Sequence, residues 1–209
     1  MQKSTLIKHW QEKCLIKDNL VLEAFKKVKR ENFVLKQYRK QAYEDVPLPL
    51  GFKATISQPT TVLIMTQALE AQQDNKILEI GTASGYQAAL LSVLVGDKGK
   101  IYTTEIVPEL VEFARKNLKK FKNVEVIHTD GSKGYKKEAP YDAIIFTVAV
   151  PKIENIILEQ LKDPGICLAP VGDKELQELF KIKKENLQLK KESLGYFQFV
   201  PLQGKYGFK

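Results

Sequence analysis

The sequence predicts an α/β fold built on a doubly wound, mostly parallel sheet, and two observations carry that prediction. The first is the stretch KILEIGTASGYQ, residues 76–87, in which a buried strand runs into a glycine turn that opens a helix. Ile77, Leu78 and Ile80 supply the apolar run, and Gly81 ends it. The second is the rhythm that follows. Strands at 76–80, 100–105, 123–127 and 141–147 are separated by helices at 86–95 and 107–120 and a short segment near 133–138. A helix at 153–162 then leads to a strand at 165–171. Strand and helix in alternation give parallel strands joined by crossovers.

The remaining elements follow in order. Residues 4–40 read as helical: Leu6, Ile7 and Trp10, then Val21, Leu22, Phe25 and Val28 fall at helical spacing, with Asp18 or Asn19 as the cap. Residues 41–59, QAYEDVPLPLGFKATISQP, break all periodicity, and three prolines and a glycine predict an extended loop. Long non-repetitive loops in compact domains tend to carry function. Thr60 to Ala71 is a helix with Pro59 just ahead of it. At the other end, ELFKIKK and LGYFQFVPL flank a polar turn at Glu185–Asn186 and predict an antiparallel pair that finishes the sheet.

Bulk properties narrow the function. A chain of 209 residues with 44% hydrophobic and 28% charged residues is expected to form one globular domain. The longest apolar runs, such as AIIFTVAV, are too short to span a bilayer, and MQKSTLIKHW has no signal-peptide core, so a cytoplasmic protein is expected. Cys14 and Cys167 lie far apart with no C-x-x-C and only two histidines, which supports neither a disulfide framework nor a metal site. The net charge of +8 invites a nucleic-acid reading. Against it, Arg30, Arg39 and Arg115 are the only arginines, and the lysines are strewn along the chain. That pattern reads as a solvated surface and not as a phosphate-tracking face, so no nucleic-acid partner is expected; no membrane partner is expected either, and the chain is expected to be a monomer.

The glycine turn narrows the ligand. Its amides arrive at a helix N-terminus, where anionic or polar groups are best held, and Gly81 and Gly85 let a ligand approach the backbone. A dinucleotide site needs G-x-G-x-x-G, and Gly81-Thr82-Ala83-Ser84-Gly85-Tyr86 does not supply it. Glu79 puts a carboxylate where a structural strand would place another apolar residue. Glu105 ends the next strand at the offset, about 20 residues on, where an acid meets ribose hydroxyls. Acid, glycine loop and ribose acid together resemble the S-adenosylmethionine site of class I methyltransferases. An ordinary strand-to-helix turn is the competing reading.

Four blocks occur in order: QAYEDVPLPLGFKATISQP, LEIGTASGYQAA, TDGSKGY with YDAIIF behind it, and FVPLQG. Together they resemble the protein-L-isoaspartate O-methyltransferase family over nearly the whole chain. The resemblance implies a Rossmann-like class I methyltransferase fold: a seven-stranded, mostly parallel sheet with helices on both faces and an N-terminal helical extension. It implies one domain over residues 1–209, with N-terminal helices and active-site loop in 1–59 and the cofactor-binding core in 60–209. The activity implied is methyl transfer from S-adenosylmethionine to the α-carboxylate of an isoaspartyl residue in a damaged peptide or protein. The ester then closes to a succinimide that opens partly to normal aspartate. A carboxyl group with a pKa of roughly 3.5–4 is already ionised at neutral pH, so no general base is needed and catalysis rests on alignment.

Residue by residue, Ser57 matches the family's active-site serine, expected to donate a hydrogen bond to the substrate carboxylate or to help order the loop closing over the sulfonium; a hydroxyl that merely satisfies the turn before Pro59 is the alternative. Thr55, Ile56 and Gln58 share that cofactor-covering loop. Glu105 is expected to take both ribose hydroxyls with Ile106 beside it, and Glu79 to order the glycine loop (Gly81, Thr82, Ala83, Ser84, Gly85) or to approach the methionyl end. Asp130 and Gly131 match the adenine contact, against a bland Asp-Gly turn. Val200, Leu202 and Gln203 match positions near the peptide channel and cofactor, against a plain apolar edge strand; Val148 and Ala149 fall on the substrate side. Three departures stand out. Ala83 replaces the loop's middle glycine, Val148 and Val150 replace small alanines and would narrow the channel, and Asp163-Pro164-Gly165 alters a turn. A tRNA methyltransferase would want an acid in Thr147–Pro151, and there is none. A cofactor-binding but inactive peptide-recognition module is the other alternative.

Overall fold

The computed structural model describes residues 2–209. Five parallel strands form the centre of the sheet: β3 (Lys76–Ile80), β4 (Lys100–Glu105), β5 (Val124–His128), β6 (Tyr141–Phe146) and β7 (Leu161–Gly172). Two antiparallel strands, β8 (Gln177–Glu185) and β9 (Gln188–Phe197), complete a seven-stranded sheet of order β5-β4-β3-β6-β7-β8-β9. The order reverses between β3 and β6. Connections leave in opposite directions there and open a crevice at the strands' carboxyl ends. The glycine turn that follows β3 sits at that point.

Alternation along the strands sorts the core onto two faces. Ile77, Ile101, Val126, Ala143, Ile145 and Leu168 face one side, against α2 (Asn19–Lys27), α3 (Pro59–Ala68), α4 (Tyr86–Val95) and α5 (Pro108–Leu118). Leu78, Ile80, Ile144, Phe146, Cys167 and Ala169 face the other, covered by the single-turn α6 (Asn155–Leu158), Tyr102, Tyr141 and the chain's end. Helices therefore lie on both faces, but unequally. The expected helix over 153–162 contracts to Asn155–Leu158 because β7 begins at Leu161, four residues ahead of the expected strand, and bulges between its Tyr141 and Ala143 pairings with β6.

The N-terminal 40 residues are less helical than their periodicity suggests. α1 (Lys3–Glu12) and α2 are α-helices, Asp18 caps α2 through the amides of Leu20 and Val21, and the chain then continues in 3-10 turns at Arg30–Asn32 and Lys36–Gln41. This extension is docked on the domain by specific bonds. Trp10 Nε1 donates to Thr60 Oγ1 (2.7 Å), and the amides of Lys17 and Asp18 donate to Gln67 Oε1. Arg30, fully buried, donates through Nε to the Ala42 carbonyl (2.7 Å) and packs its guanidinium over the Tyr86 ring at the start of α4. Burial draws its pKa down to about 10.

The expected extended loop at 41–59 contains a small antiparallel hairpin, β1 (Leu48–Gly51) and β2 (Ala54–Ile56), turned by Phe52 and Lys53. Among the described residues no helix is long and apolar enough to cross a membrane.

Candidate active site

A cavity of about 380 Å³ lies over the switch point, within the roughly 300–1,000 Å³ typical of small-molecule sites. Its walls come from the hairpin and the residues after it, the glycine loop, the ends of β4 and β6, Gly131 after β5, Lys174 after β7, and the segment 198–203. A second, small cavity of about 40 Å³ continues beneath the glycine loop, sharing Thr55, Ser57, Gly81, Ala83, Thr147 and Phe199 with the first.

The glycine loop is held by contacts that leave little choice of residue. Gly81 has φ +97, and a Cβ there would stand 2.8 Å from both Thr147 Oγ1 and Val148 Cγ1. Gly85, at φ +82, would drive a Cβ to 2.6 Å from Leu118 Cδ1. Ala83 also has positive φ, +46, although it carries a side chain; the left-handed conformation costs such a residue roughly 1 kcal/mol. What holds Ala83 there is Glu105, whose Oε2 accepts the Ala83 amide at 2.9 Å. Oε1 accepts the amides of Ile106 (2.9 Å) and Val107 (3.1 Å). A carboxylate offers about four acceptor positions, so three are in use. One remains, on Oε2, for a ligand hydroxyl, where two had been expected.

Glu79 makes no direct hydrogen bond to the loop. It is 0% exposed, neither carboxylate oxygen has a hydrogen-bond partner among the described residues, and it lines the small cavity. Burial pushes its carboxyl up to about 8, against the opposing effect of the Thr103 hydroxyl and with a further upward push from Glu105. An unpartnered buried acid costs stability unless something polar meets it. Both expected roles fit this geometry: the carboxylate is open to a ligand, and the Thr103 hydroxyl that acts on it also pairs with Thr82 of the loop (2.6 Å).

Ser57 lines both cavities. The start of α3 is served by other groups: Asp45 accepts the Thr60 amide (2.9 Å) and hydroxyl (2.6 Å), and the Gln58 carbonyl accepts the Val62 amide. The Ser57 hydroxyl is therefore not required by that turn. Thr55, Ile56 and Gln58 also line the cavities, as do Thr82, Ser84, Ile106, Gly131, Val148, Val200, Leu202 and Gln203. The site that the sequence assembles from distant blocks is brought together in space.

Three expected site residues line neither cavity: Gly85, which turns the chain into α4 against Leu118, and two more. Asp130 does not line either cavity: its carboxylate accepts the amides of Ser132 (3.0 Å) and Lys205 (2.9 Å), clamping the C-terminal segment. Burial alone would raise its pKa, but these donors and nearby Lys133 bring it below the ordinary value. Its neighbour Gly131 does line the cavity, and its lack of Cβ is needed against Thr104 Oγ1. Ala149 is likewise no part of the wall. It is fully buried, donating to the Val200 carbonyl (2.9 Å) and accepting the Leu202 amide (2.8 Å). These bonds hang the segment 198–203 on the end of β6, so Ala149 positions Val200 and Leu202 instead of touching a ligand. Val150 is buried in the core, and only Val148 reaches the cleft.

Several wall residues gave no signal in the sequence. Thr147 donates its hydroxyl to the Gly81 carbonyl, fixing the loop from the β6 side. Phe199 lines both cavities and is held by fully buried Gln177, whose Oε1 accepts the Phe199 amide at 2.7 Å. Lys53 on the hairpin and Lys174 after β7 also line the larger cavity. The one signal available was aromatic: Phe52 in GFKATISQPT, and Tyr196, Phe197 and Phe199 in GYFQFVPLQG.

Comparison with known proteins agrees with this arrangement. The family model described as protein-L-isoaspartate(D-aspartate) O-methyltransferase matches residues 1–207. Protein-L-isoaspartate O-methyltransferase 2 of Archaeoglobus fulgidus is 47% identical over 191 residues, covering 90% of this chain and 87% of its own. Among solved structures, a protein-L-isoaspartate O-methyltransferase superposes with TM-score 0.89 at 28% identity, over 99% of this chain and 67% of that one. A Plasmodium falciparum chain in complex with S-adenosyl-L-homocysteine shares the fold at 21% identity, TM-score 0.84, over 95% of this chain and 97% of its own. A family match over nearly the full length, on a cleft built from the same four blocks, places this chain in the protein-L-isoaspartate(D-aspartate) O-methyltransferase family.

Proposed function

We infer that the chain is an S-adenosylmethionine-dependent enzyme that methylates the α-carboxylate of L-isoaspartyl residues in damaged proteins. The observation that carries this reading is the meeting, in one cleft, of the glycine loop braced by Glu105 and the ATISQP segment that presents Ser57. Bound S-adenosylmethionine supplies an electrophilic methyl group on a sulfonium sulfur. In this reading Glu105 Oε2 receives a ribose hydroxyl, Gly131 borders the adenine, and Gly81 to Gly85 lie along the thioether end. Thr55, Ile56 and Gln58 cover that end, and Gln203 closes the cleft from the C-terminal side. Glu79 offers its open carboxylate to the amino group of the methionyl end, an interaction that favours its ionised form.

Ser57 donates a hydrogen bond to one oxygen of the substrate carboxylate and so aims the other. Val148, Val200 and Leu202 exclude water from the line of transfer. The nucleophile arrives ionised, which suits a cleft without a side chain placed as general base. Effective molarities of about 10⁵ M or more are available from alignment alone. We further read residues 1–209 as one methyltransferase domain acting as a monomer in the cytoplasm, on protein substrates and not on nucleic acid or membranes.

The two alternatives are less well supported. A nucleobase amine needs a proton acceptor near the methyl group, whereas the Thr147 hydroxyl is already donated to backbone. A binding module without activity was suggested by Ala83 and the valines, but Ala83 is accommodated by Glu105 and the cleft remains open. The test is methyl transfer from labelled S-adenosylmethionine to a peptide containing isoaspartate and to its α-linked aspartyl twin, read as released methanol. Turnover of the first alone is expected. Labelled tRNA, or cofactor binding without transfer, would select one of the alternatives.

A further inference from the structure

The hairpin tip at the mouth of the cleft is unusual. Gly51 pairs with Ala54, so Phe52 and Lys53 are the two central residues of the turn. Both have positive φ, +51 and +58. A two-residue hairpin of that hand normally takes Asn-Gly or a similar pair, and a bulky aromatic in the left-handed region is an outlier. The turn nevertheless carries Phe52, 54% exposed, and Lys53, and both line the cavity.

The charges around the cavity are lopsided. Its charged wall residues are Lys53, Lys174 and Glu105. Glu105 is 8% exposed and spends three of its acceptor positions on backbone amides. Lys53 makes no ion pair among the described residues, and Lys174 meets one oxygen of the Lys209 terminal carboxyl group (2.6 Å), an exposed contact that a substrate carboxylate would have to displace. The outer part of the cleft thus presents two ammonium groups and an exposed ring, with no opposing carboxylate among the wall residues.

We propose that this mouth selects isoaspartyl segments flanked by acidic side chains, with Lys53 and Lys174 pairing with the flanking carboxylates and Phe52 covering the peptide beside them. The proposal rests on the methyltransferase reading above. It gives the strained turn a purpose, since the residues that cost the turn most are the ones offered to the substrate.

The experiment uses three isoaspartyl peptides that differ only in flanking residues: glutamates, glutamines or lysines. The glutamate peptide is expected to have a KM roughly three- to tenfold below the lysine peptide at equal kcat, the size that exposed charge pairs produce. The gap should shrink in about 0.5 M salt, where the screening length falls to a few ångströms. The double variant Lys53→Glu/Lys174→Glu should invert the order. Lys53→Gly, which suits the turn, should keep or raise the melting temperature while narrowing the preference, separating recognition from folding. Equal KM values for the three peptides, or a preference that survives the charge reversal, overturn the proposal. Failure to turn over any of the three contradicts the isoaspartyl reading itself.

Discussion

Three acidic or hydroxylic side chains divide the work of the cleft, and each can be tested alone. Ser57 is free of the turn beside it, so Ser57→Ala should lower kcat at least tenfold, about 1.4 kcal/mol, while the S-adenosylmethionine dissociation constant changes little. A loss of stability at unchanged kcat would make it structural. Glu105 braces three amides and offers its last acceptor position to the ligand. Glu105→Ala should weaken cofactor binding by about 1.5–3 kcal/mol by calorimetry, and an unchanged constant would count against the assignment. Glu79 behaves differently because burial outweighs the single hydroxyl, Thr103, that acts on its carboxylate. Its pKa rises from 4.5 to about 8 on folding, so the folded protein without cofactor holds a proton that the unfolded chain releases. That contribution to stability is complete below pH 4.5 and is lost as pH climbs towards 8. Glu79→Gln should therefore match the native protein in stability near pH 4.5 and exceed it by on the order of 2–4 kcal/mol at pH 8, measured by denaturant titration without cofactor. A gain independent of pH would show that the carboxyl is not buried as described.

At the scale of elements, two segments far apart in sequence close the cleft over the sheet. One is the hairpin before α3, the other is the strap 198–203 that hangs on Ala149 and on Gln177. Gln177 joins the Asp173 carbonyl (2.6 Å) to the Phe199 amide (2.7 Å) and is fully buried. Gln177→Ala leaves both groups unpaired and should cost about 2 kcal/mol of stability. It should also raise the peptide KM more than it lowers kcat, because the strap lines the cleft without touching the methyl group. These segments also mark where the sequence was legible. The glycine loop announced itself, since turn glycines, a strand before and a helix after all agree. The hairpin was hidden because its strands are three and four residues long, one carries a proline, and Phe52-Lys53 is not a pair that turn chemistry predicts. The helical reading of residues 4–40 overshot at its end: the periodic residues stop at Val28, and the chain beyond, although Phe33 and Val34 are buried, runs in 3-10 turns.

Across the whole molecule, the position of the site follows from topology. The sheet reverses its order between β3 and β6, and the walls of the cleft gather around that point: the loop after β3, the ends of β4 and β6, Gly131 after β5, Lys174 after β7, and two coverings, the hairpin and the segment 198–203. The β-α alternation made the parallel sheet readable, and the quoted blocks made the cleft readable as a set. What could not be read was which members face inward. Asp130 and Ala149 stand beside wall residues in sequence, yet each is consumed by hydrogen bonds that fix the C-terminal segment. That partition depends on contacts spanning the full length of the chain. The central claim is that this crevice holds the methyl donor with its sulfur beneath the Ser57 segment, aimed at an already ionised carboxylate. A crystal structure with S-adenosylhomocysteine tests it most directly. The ribose should lie against Glu105, the adenine beside Gly131 and the sulfur between the glycine loop and Ser57; a nucleoside lodged anywhere else rules this placement out.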